Sequence, residues 1–184
     1  MALVRPVIFQ VTGYQDSGKT TFIEKLLHGL KAEGLMTAVI KHHGHGGKPD
    51  VLPKKDSTRH LAAGAIASIV EGEGRLLLQT EQLEFKLDKQ INLLGLFNLD
   101  IILVEGHKQE SFPKMVLLRD KRDLSLIRKL KNIAAVVYWE EGLEGAISEV
   151  LEVPCFHIGD AKAEQQIVRL LKQMHDKETA DSKN

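Results

Sequence analysis

An excess of charge of one sign is missing from this chain. Lys plus Arg and Asp plus Glu both number 25 over 184 residues, so the formal net charge is zero. A balanced surface offers no global field to attract DNA or an acidic membrane, which leaves nucleic acid and bilayers off the list of expected partners. Cysteine is nearly absent. Cys155 stands alone, which excludes an internal disulfide and makes the reducing cytoplasm the economical expectation. Met1 to Arg5 is too short for a secretory leader ahead of the first apolar stretch, and no apolar run approaches the roughly 20 residues that cross a bilayer.

The hydrophobic content is 43%, enough to bury one sizeable core. It predicts one compact domain over residues 1–175 followed by a polar C-terminal tail over 176–184. The most informative stretch is Gly13-Tyr14-Gln15-Asp16-Ser17-Gly18-Lys19-Thr20, which fits the phosphate-binding pattern G-x-x-x-x-G-K-[ST]. Its flanks have the order such a loop requires. Pro6 to Thr12 is short, apolar and β-branched, as in a buried strand. Phe22, Ile23, Leu26, Leu27 and Leu30 then recur at helical spacing, with Gly34 placed to end the helix. Gly13 and Gly18 permit a close backbone turn, so that successive N–H groups and the helix N-terminus can surround a β-phosphate. Lys19 then reaches the β- and γ-phosphates as a point charge, Thr20 supplies a hydroxyl to Mg²⁺, and Thr21 faces the α-phosphate.

Further along, Met36 to Ile40 predicts a second strand, and the Gly-, Pro- and His-rich connection from His42 to about Lys54 is long enough to be functional. A short helix capped by Asp56 or Ser57 runs through His60 to Ala63, and Ala65 to Val70 with Arg75 to Thr80 predict a strand pair. Glu81 to Gln90 predicts a short helix. The continuous apolar run Leu99-Asp100-Ile101-Ile102-Leu103-Val104-Glu105-Gly106 predicts a central strand buried on both faces. Met115 to Leu118, Ile133 to Tyr138 and Cys155 to Ile158 supply further strands, and Asp160 to His175 a closing helix. Strands alternating with helices predict an α/β fold, a mainly parallel sheet with helices on both faces and ligands at the strands' carboxyl ends.

A phosphate-binding loop needs an acidic group at the end of a neighbouring strand to orient Mg²⁺ or its waters, and Glu105 is the candidate. It is one methylene longer than the usual Asp, which leaves direct and water-mediated contact both open. These pieces resemble the family of molybdopterin-guanine dinucleotide biosynthesis protein B, the MobB family. The resemblance covers Gly13 to Thr21, Val39-Ile40-Lys41-His42, Lys55-Asp56-Ser57, Ala63-Gly64-Ala65, Leu99 to Gly106 with Lys108, and Lys114-Met115-Val116-Leu117-Leu118-Arg119, roughly the first two-thirds of the chain. It implies a P-loop NTPase fold and a GTP-binding adaptor that holds GTP at Gly13 to Thr21 with Mg²⁺ near Thr20 and Glu105. It further implies slow hydrolysis, a homodimer, and help to the guanylyltransferase that joins GMP to molybdopterin. The chain departs from expectation in two places. There is no Asn-Lys-x-Asp guanine signature, so the choice of guanine rests on the resemblance. The loop after the second strand, His42-His43-Gly44-His45-Gly46-Gly47 and then Asp50, is less acidic than in relatives.

Other groupings have competing readings. His42, His43 and His45 could contribute to a Zn²⁺ or Ni²⁺ site, line the nucleotide or pterin pocket, or remain solvated. With the loop, they also suggest a nickel or zinc metallochaperone GTPase. Cys155 and His157 alternate on one strand, a ligand pair or a buried thiol. Arg119, Lys121, Arg122, Arg128, Lys129 and Lys131 form a basic run. It could serve as a lid in a small-molecule kinase, a molybdopterin phosphate site, a partner surface or a solvated helical face, the last being the usual fate of charge runs. His107 lies close enough to Glu105 to reach an attacking water. No residue is assigned as catalytic, and slow turnover is the expectation.

Overall fold

The computed structural model describes residues 5–44, 56–81 and 83–182. In chain order the elements are β1 (Val7–Gly13), α1 (Lys19–Ala32), β2 (Thr37–Lys41), α2 (Asp56–Ala62), β3 (Ala67–Gly72), β4 (Arg75–Thr80) and α3 (Leu87–Leu94). They continue with β5 (Ile101–Glu105), β6 (Lys114–Leu118), α4 (Ser125–Lys129), β7 (Ile133–Tyr138), α5 (Leu143–Ser148), β8 (Cys155–His157) and α6 (Ala161–Asp181). Within the stretch expected as one domain there are two compact units, residues 1–44 with 91–184, and residues 45–90.

The larger unit is built on a six-stranded sheet in the order β2-β5-β1-β6-β7-β8, with every neighbouring pair parallel. Side chains alternate across a strand, and this sheet uses both faces. Phe9, Val11, Ile101, Leu103, Met115, Leu117, Ala135 and Val137 point to one side, where Phe22, Ile23, Leu26 and Leu30 of α1 and Ile167, Val168 and Leu171 of α6 cover them. Val116, Leu118, Val136 and Tyr138 point to the other, under Leu126 and Ile127 of α4 and Leu143 and Ile147 of α5. All five residues of β5 are buried, as the unbroken apolar run from Leu99 predicts. Helix α1 ends where Gly34 was expected to stop it: Gly34 N–H donates to Lys31 O and Leu35 N–H to Leu30 O, both at 3.0 Å, a Schellman closure of the last turn.

Lys114 shows how charge is kept inside. It has no exposed surface, and its ammonium donates to the carbonyls of Glu110, Phe112 and Lys131 at 3.0, 2.7 and 2.6 Å. The donors of a buried lysine are thereby satisfied by main chain.

The smaller unit holds α2 and the antiparallel β3–β4 hairpin, in register from Ala67 opposite Thr80 to Gly72 opposite Arg75. Glu73 and Gly74 take φ of 50° and 78°, the two positive values that a tight two-residue hairpin turn requires.

Two expectations need correction. The helix expected over Glu81 to Gln90 runs instead over Leu87–Leu94. The apolar stripe lies at Leu87, Ile91 and Leu94, spaced i, i+4, i+7, and Glu81 to Lys86 does not share it. The tail expected from residue 176 is helical to Asp181. Asp176 to Ala180 includes Lys, Glu and Ala, good helix formers that extend an established helix without an apolar face.

Candidate functional site

β1 brings the chain to the carboxyl edge of the sheet at Gly13, opposite Leu117 of β6, and α1 begins at Lys19. The turn between them leaves no room for a side chain at its first residue. A Cβ on Gly13 would lie 2.5 Å from Ser17 Oγ and 2.9 Å from the Leu117 carbonyl oxygen. At its other end Gly18 is left-handed, with φ 85°, and a Cβ there would meet Trp139 Cζ2 at 3.0 Å. Helix α1 has no side-chain N-cap bond and no acidic residue in its first turn. Its leading N–H groups and the positive end of its dipole therefore face the loop, an anion-binding arrangement.

Charged and hydroxyl side chains gather on the β5 side of the loop. Thr20 Oγ1 lies 3.1 Å and 3.3 Å from the two carboxylate oxygens of Glu105, itself only 8% exposed. Lys41 is opposite Glu105 in the β2–β5 ladder. Its Nζ donates to Thr20 Oγ1 at 3.2 Å and pairs with Glu105 Oε2 at 3.5 Å. Lys19 Nζ donates to the Tyr14 carbonyl at 2.6 Å and reaches Ser17 Oγ at 3.4 Å. Burial pulls the Lys19 pKa down, the Glu105 charge opposes this, and nearby Lys108 and Lys41 add to the lowering. Lys108 Nζ lies 4.6 Å from the centre of the Tyr14 ring, a cation–π contact. The Tyr14 hydroxyl is 3.4 Å from Ser125 Oγ, which ties the loop to α4.

The turn after Glu105 is held from below by Gln10. This fully buried residue of β1 donates through Nε2 to the carbonyls of Gly106 at 3.2 Å and His107 at 2.8 Å. His107, at φ 49°, packs its ring 4.7 Å from that of His42, tilted by 51°. Burial first, then the neighbouring His42, holds the His107 pKa below its ordinary value, with Glu110 opposing.

Thr20 and Glu105 supply a hydroxyl and a carboxylate, the hard oxygen donors that Mg²⁺ takes. Their oxygens meet in a hydrogen bond of 3.1 Å beside the loop. The residues expected to act together, Gly13 to Thr21 and Glu105, are brought together. The histidine cluster is not seen as a set: His42 faces His107, and His45 and Asp50 lie outside the described residues. Among the described residues no three His, Cys, Asp or Glu side chains form a metal-holding group. His157 is not a ligand partner for Cys155. Gly159 N–H donates to its Nδ1 at 3.1 Å and its Nε2 is 2.7 Å from the Trp139 carbonyl, while Cys155 Sγ points to Val153 O at 3.2 Å. The basic run is largely an exposed face, with Arg119 paired to Asp123 and Arg122 to Asp120. No helix among the described residues is long and apolar enough to cross a membrane.

Sequence reasoning missed Gln10, Lys41 and Trp139 as parts of the site. A polar Gln inside an apolar strand was a signal for the first. Trp139 carried none, because its contact with Ser17 spans the fold.

A parallel sheet, a glycine loop opening a helix at its carboxyl edge and an acidic residue closing the adjacent strand define a P-loop NTPase-like α/β protein. Residues 8–139, well over half the chain, match the family described as molybdopterin guanine dinucleotide synthesis protein B, and the chain belongs to this MobB family. It is 41% identical over 174 residues to the probable molybdopterin-guanine dinucleotide biosynthesis adapter protein of Bacillus subtilis, covering 94% of this chain and 98% of that one. The crystal structure of Bacillus subtilis MobB superposes with a TM-score of 0.72 at 36% identity, over 89% of this chain and 96% of that one. A MobB homologue from Bacillus stearothermophilus superposes with a TM-score of 0.70 at 33% identity, over 90% and 98%.

Proposed function

We propose that this chain is a GTP-binding adaptor of molybdenum cofactor biosynthesis that assists the guanylyltransferase joining GMP to molybdopterin. The observation that carries the nucleotide part is the meeting of Thr20 and Glu105 at 3.1 Å beside the uncapped N-terminus of α1. The leading N–H groups of α1 and the loop cradle the β-phosphate, and Lys19 swings from the Tyr14 carbonyl to the β- and γ-phosphates. Thr20 and Glu105 would hold Mg²⁺, directly or through water, and the ion would supply neutralising positive charge to the phosphates. Lys41, beside both, carries a further positive charge to the γ-phosphate. GTP rather than ATP, the guanylyltransferase as partner and contact with molybdopterin are supported by relatives named as adapter proteins of molybdopterin-guanine dinucleotide biosynthesis.

Slow hydrolysis fits the site. His107 follows the acidic strand end, but its ring packs 4.7 Å from that of His42 and its buried Nε2 has no partner among the described residues to orient it as a base. The homodimer has its own support in the β3–β4 hairpin, where Ile69, Val70, Leu76 and Leu77 are 62%, 46%, 55% and 51% exposed. Val70 and Leu77 share one face of the hairpin and Ile69 and Leu76 the other, and exposed apolar side chains of this kind suit a second copy of the chain. A balanced charge and a single cysteine favour the cytoplasm as the place of work. The adaptor role is tested by immobilising this chain with GTP and Mg²⁺ and passing the guanylyltransferase of the same organism over it. Specific retention is expected, and its absence at any nucleotide state would remove the partner.

A further inference from the structure

The loop has two unlike flanks. Toward β5 and β2 it meets charge, with Glu105, Lys41 and Lys108. Toward β7 it meets an aromatic, Trp139, the residue after that strand and the only tryptophan of the chain. The indole Nε1–H donates to the Ser17 carbonyl at 3.0 Å, and the edge of the ring lies against Gly18. Its main chain is fixed on both sides. Trp139 N–H donates to Leu118 O at 3.0 Å. The Trp139 carbonyl accepts from His157 Nε2 at 2.7 Å, a tautomer set by the Gly159 N–H that occupies Nδ1. Every polar handle of this residue is engaged, yet 47% of it remains exposed. Holding the largest apolar side chain rigid and half in water forgoes burial that would stabilise the fold, as residues that meet a ligand do.

We propose that Trp139 is the platform on which the purine base of the bound nucleoside triphosphate stacks. This rests on the nucleotide reading above and adds the residue that carries the base. A triphosphate whose metal-bearing end lies at Thr20 and Glu105 directs its nucleoside away from that pair, along the opposite flank of the loop. There the sheet's carboxyl edge offers a polarisable aromatic surface, the half-exposed Trp139 indole. The bond to Ser17 orients the indole before the ligand arrives, so little ordering remains to be done on binding.

Calorimetry with GTP and with inorganic tripolyphosphate, each with Mg²⁺, on the full chain and on Trp139→Leu and Trp139→Phe separates the base from the phosphates. The native chain should bind GTP at least about tenfold more tightly than tripolyphosphate, and Trp139→Leu should erase that preference while changing tripolyphosphate affinity less than about threefold. Trp139→Phe, which keeps a ring but not the N–H, should retain most of the preference. Fluorescence of the single tryptophan in the native chain should change with GTP and not with tripolyphosphate, a readout that holds even if the Leu variant fails to fold. Equal losses for both ligands in Trp139→Leu would make the residue a brace of the loop and overturn the platform. Equal affinity of the native chain for GTP and tripolyphosphate would overturn it too, with the phosphate site left standing. Binding of neither ligand would remove the nucleotide reading itself and the platform with it.

Discussion

Lys114→Met asks whether a buried ammonium ties the fold together or burdens it. Lys114 opens β6 with no exposed surface. Its three bonds join the loop before β6 to the turn before β7, where Lys114 N–H also donates to Asn132 O at 3.0 Å and Asn132 Nδ2 to the Ser111 carbonyl. Two effects oppose each other. Burial pulls the Lys114 pKa below its ordinary value, with the charge of Glu110 opposing, so bringing the ammonium inside costs stability. Each hydrogen bond from a charged donor returns roughly 1.5–3 kcal/mol. Met has nearly the same length and no donor, so three carbonyls lose their partner. Two of them belong to the exposed residues Glu110 and Lys131, where a small backbone shift brings water to the oxygen. The net loss is therefore about 2–4 kcal/mol, less than the sum of three bonds. At roughly 2–4 °C per kcal/mol for a chain of this size, the variant should melt about 4–16 °C lower in a circular dichroism scan. GTP affinity should hold, because the loop meets β6 at its far end, Gly13 opposite Leu117. A fall of less than about 2 °C would refute the reasoning and show that desolvation cancels the bonds.

Gly13→Ala pushes a Cβ to 2.5 Å from Ser17 Oγ and 2.9 Å from a main-chain carbonyl. Overpacking of about 1–3 kcal/mol should appear as at least about a fivefold loss of GTP affinity in calorimetry, and native affinity would contradict the close fit. His107 gives a pH dependence. Its folded pKa lies below the ordinary 6.5, so the unfolded chain binds the extra proton first. The contribution is whole above pH 6.5 and is lost as pH falls through that value toward the folded pKa. The drop in melting temperature from about pH 7.5 to about 5.5 should accordingly be smaller in His107→Phe, and equal drops would count against the burial of His107. Val70 and Leu77 face each other across the hairpin, so Val70→Lys with Leu77→Lys places two like charges on the apolar surface. Light scattering should show the mass fall to that of one 20.5 kDa chain, and a native chain already at that mass would contradict the dimer.

Much of the site was legible because its parts are local. Gly13, Gly18, Lys19 and Thr20 lie within one turn of chain and must keep fixed spacing to wrap a phosphate, and a strand and a helix leave opposite periodicities on either side. Glu105 was legible as the acidic end of an apolar run. What escaped was long-range. The Trp139 bond to Ser17 and the Gln10 bond to His107 join residues 122 and 97 positions apart, and no periodicity records such pairs. Lys114 belonged to a motif shared with the family but gave no sign that its charge would be satisfied by three carbonyls. The helix expected over Glu81 to Gln90 was misplaced because Glu81 to Lys86 carries no apolar stripe at helical spacing. The stripe that forms the helix begins only at Leu87.

Calorimetric titration of GTP and of ATP, each with Mg²⁺, into the native chain and Lys19→Ala tests the central claim most directly. The account predicts one GTP per chain, tighter than ATP, and a loss of about tenfold to hundredfold on removing the charged Lys19 donor with the fold intact. GTP binding unchanged in Lys19→Ala, or no heat with either nucleotide, would contradict it.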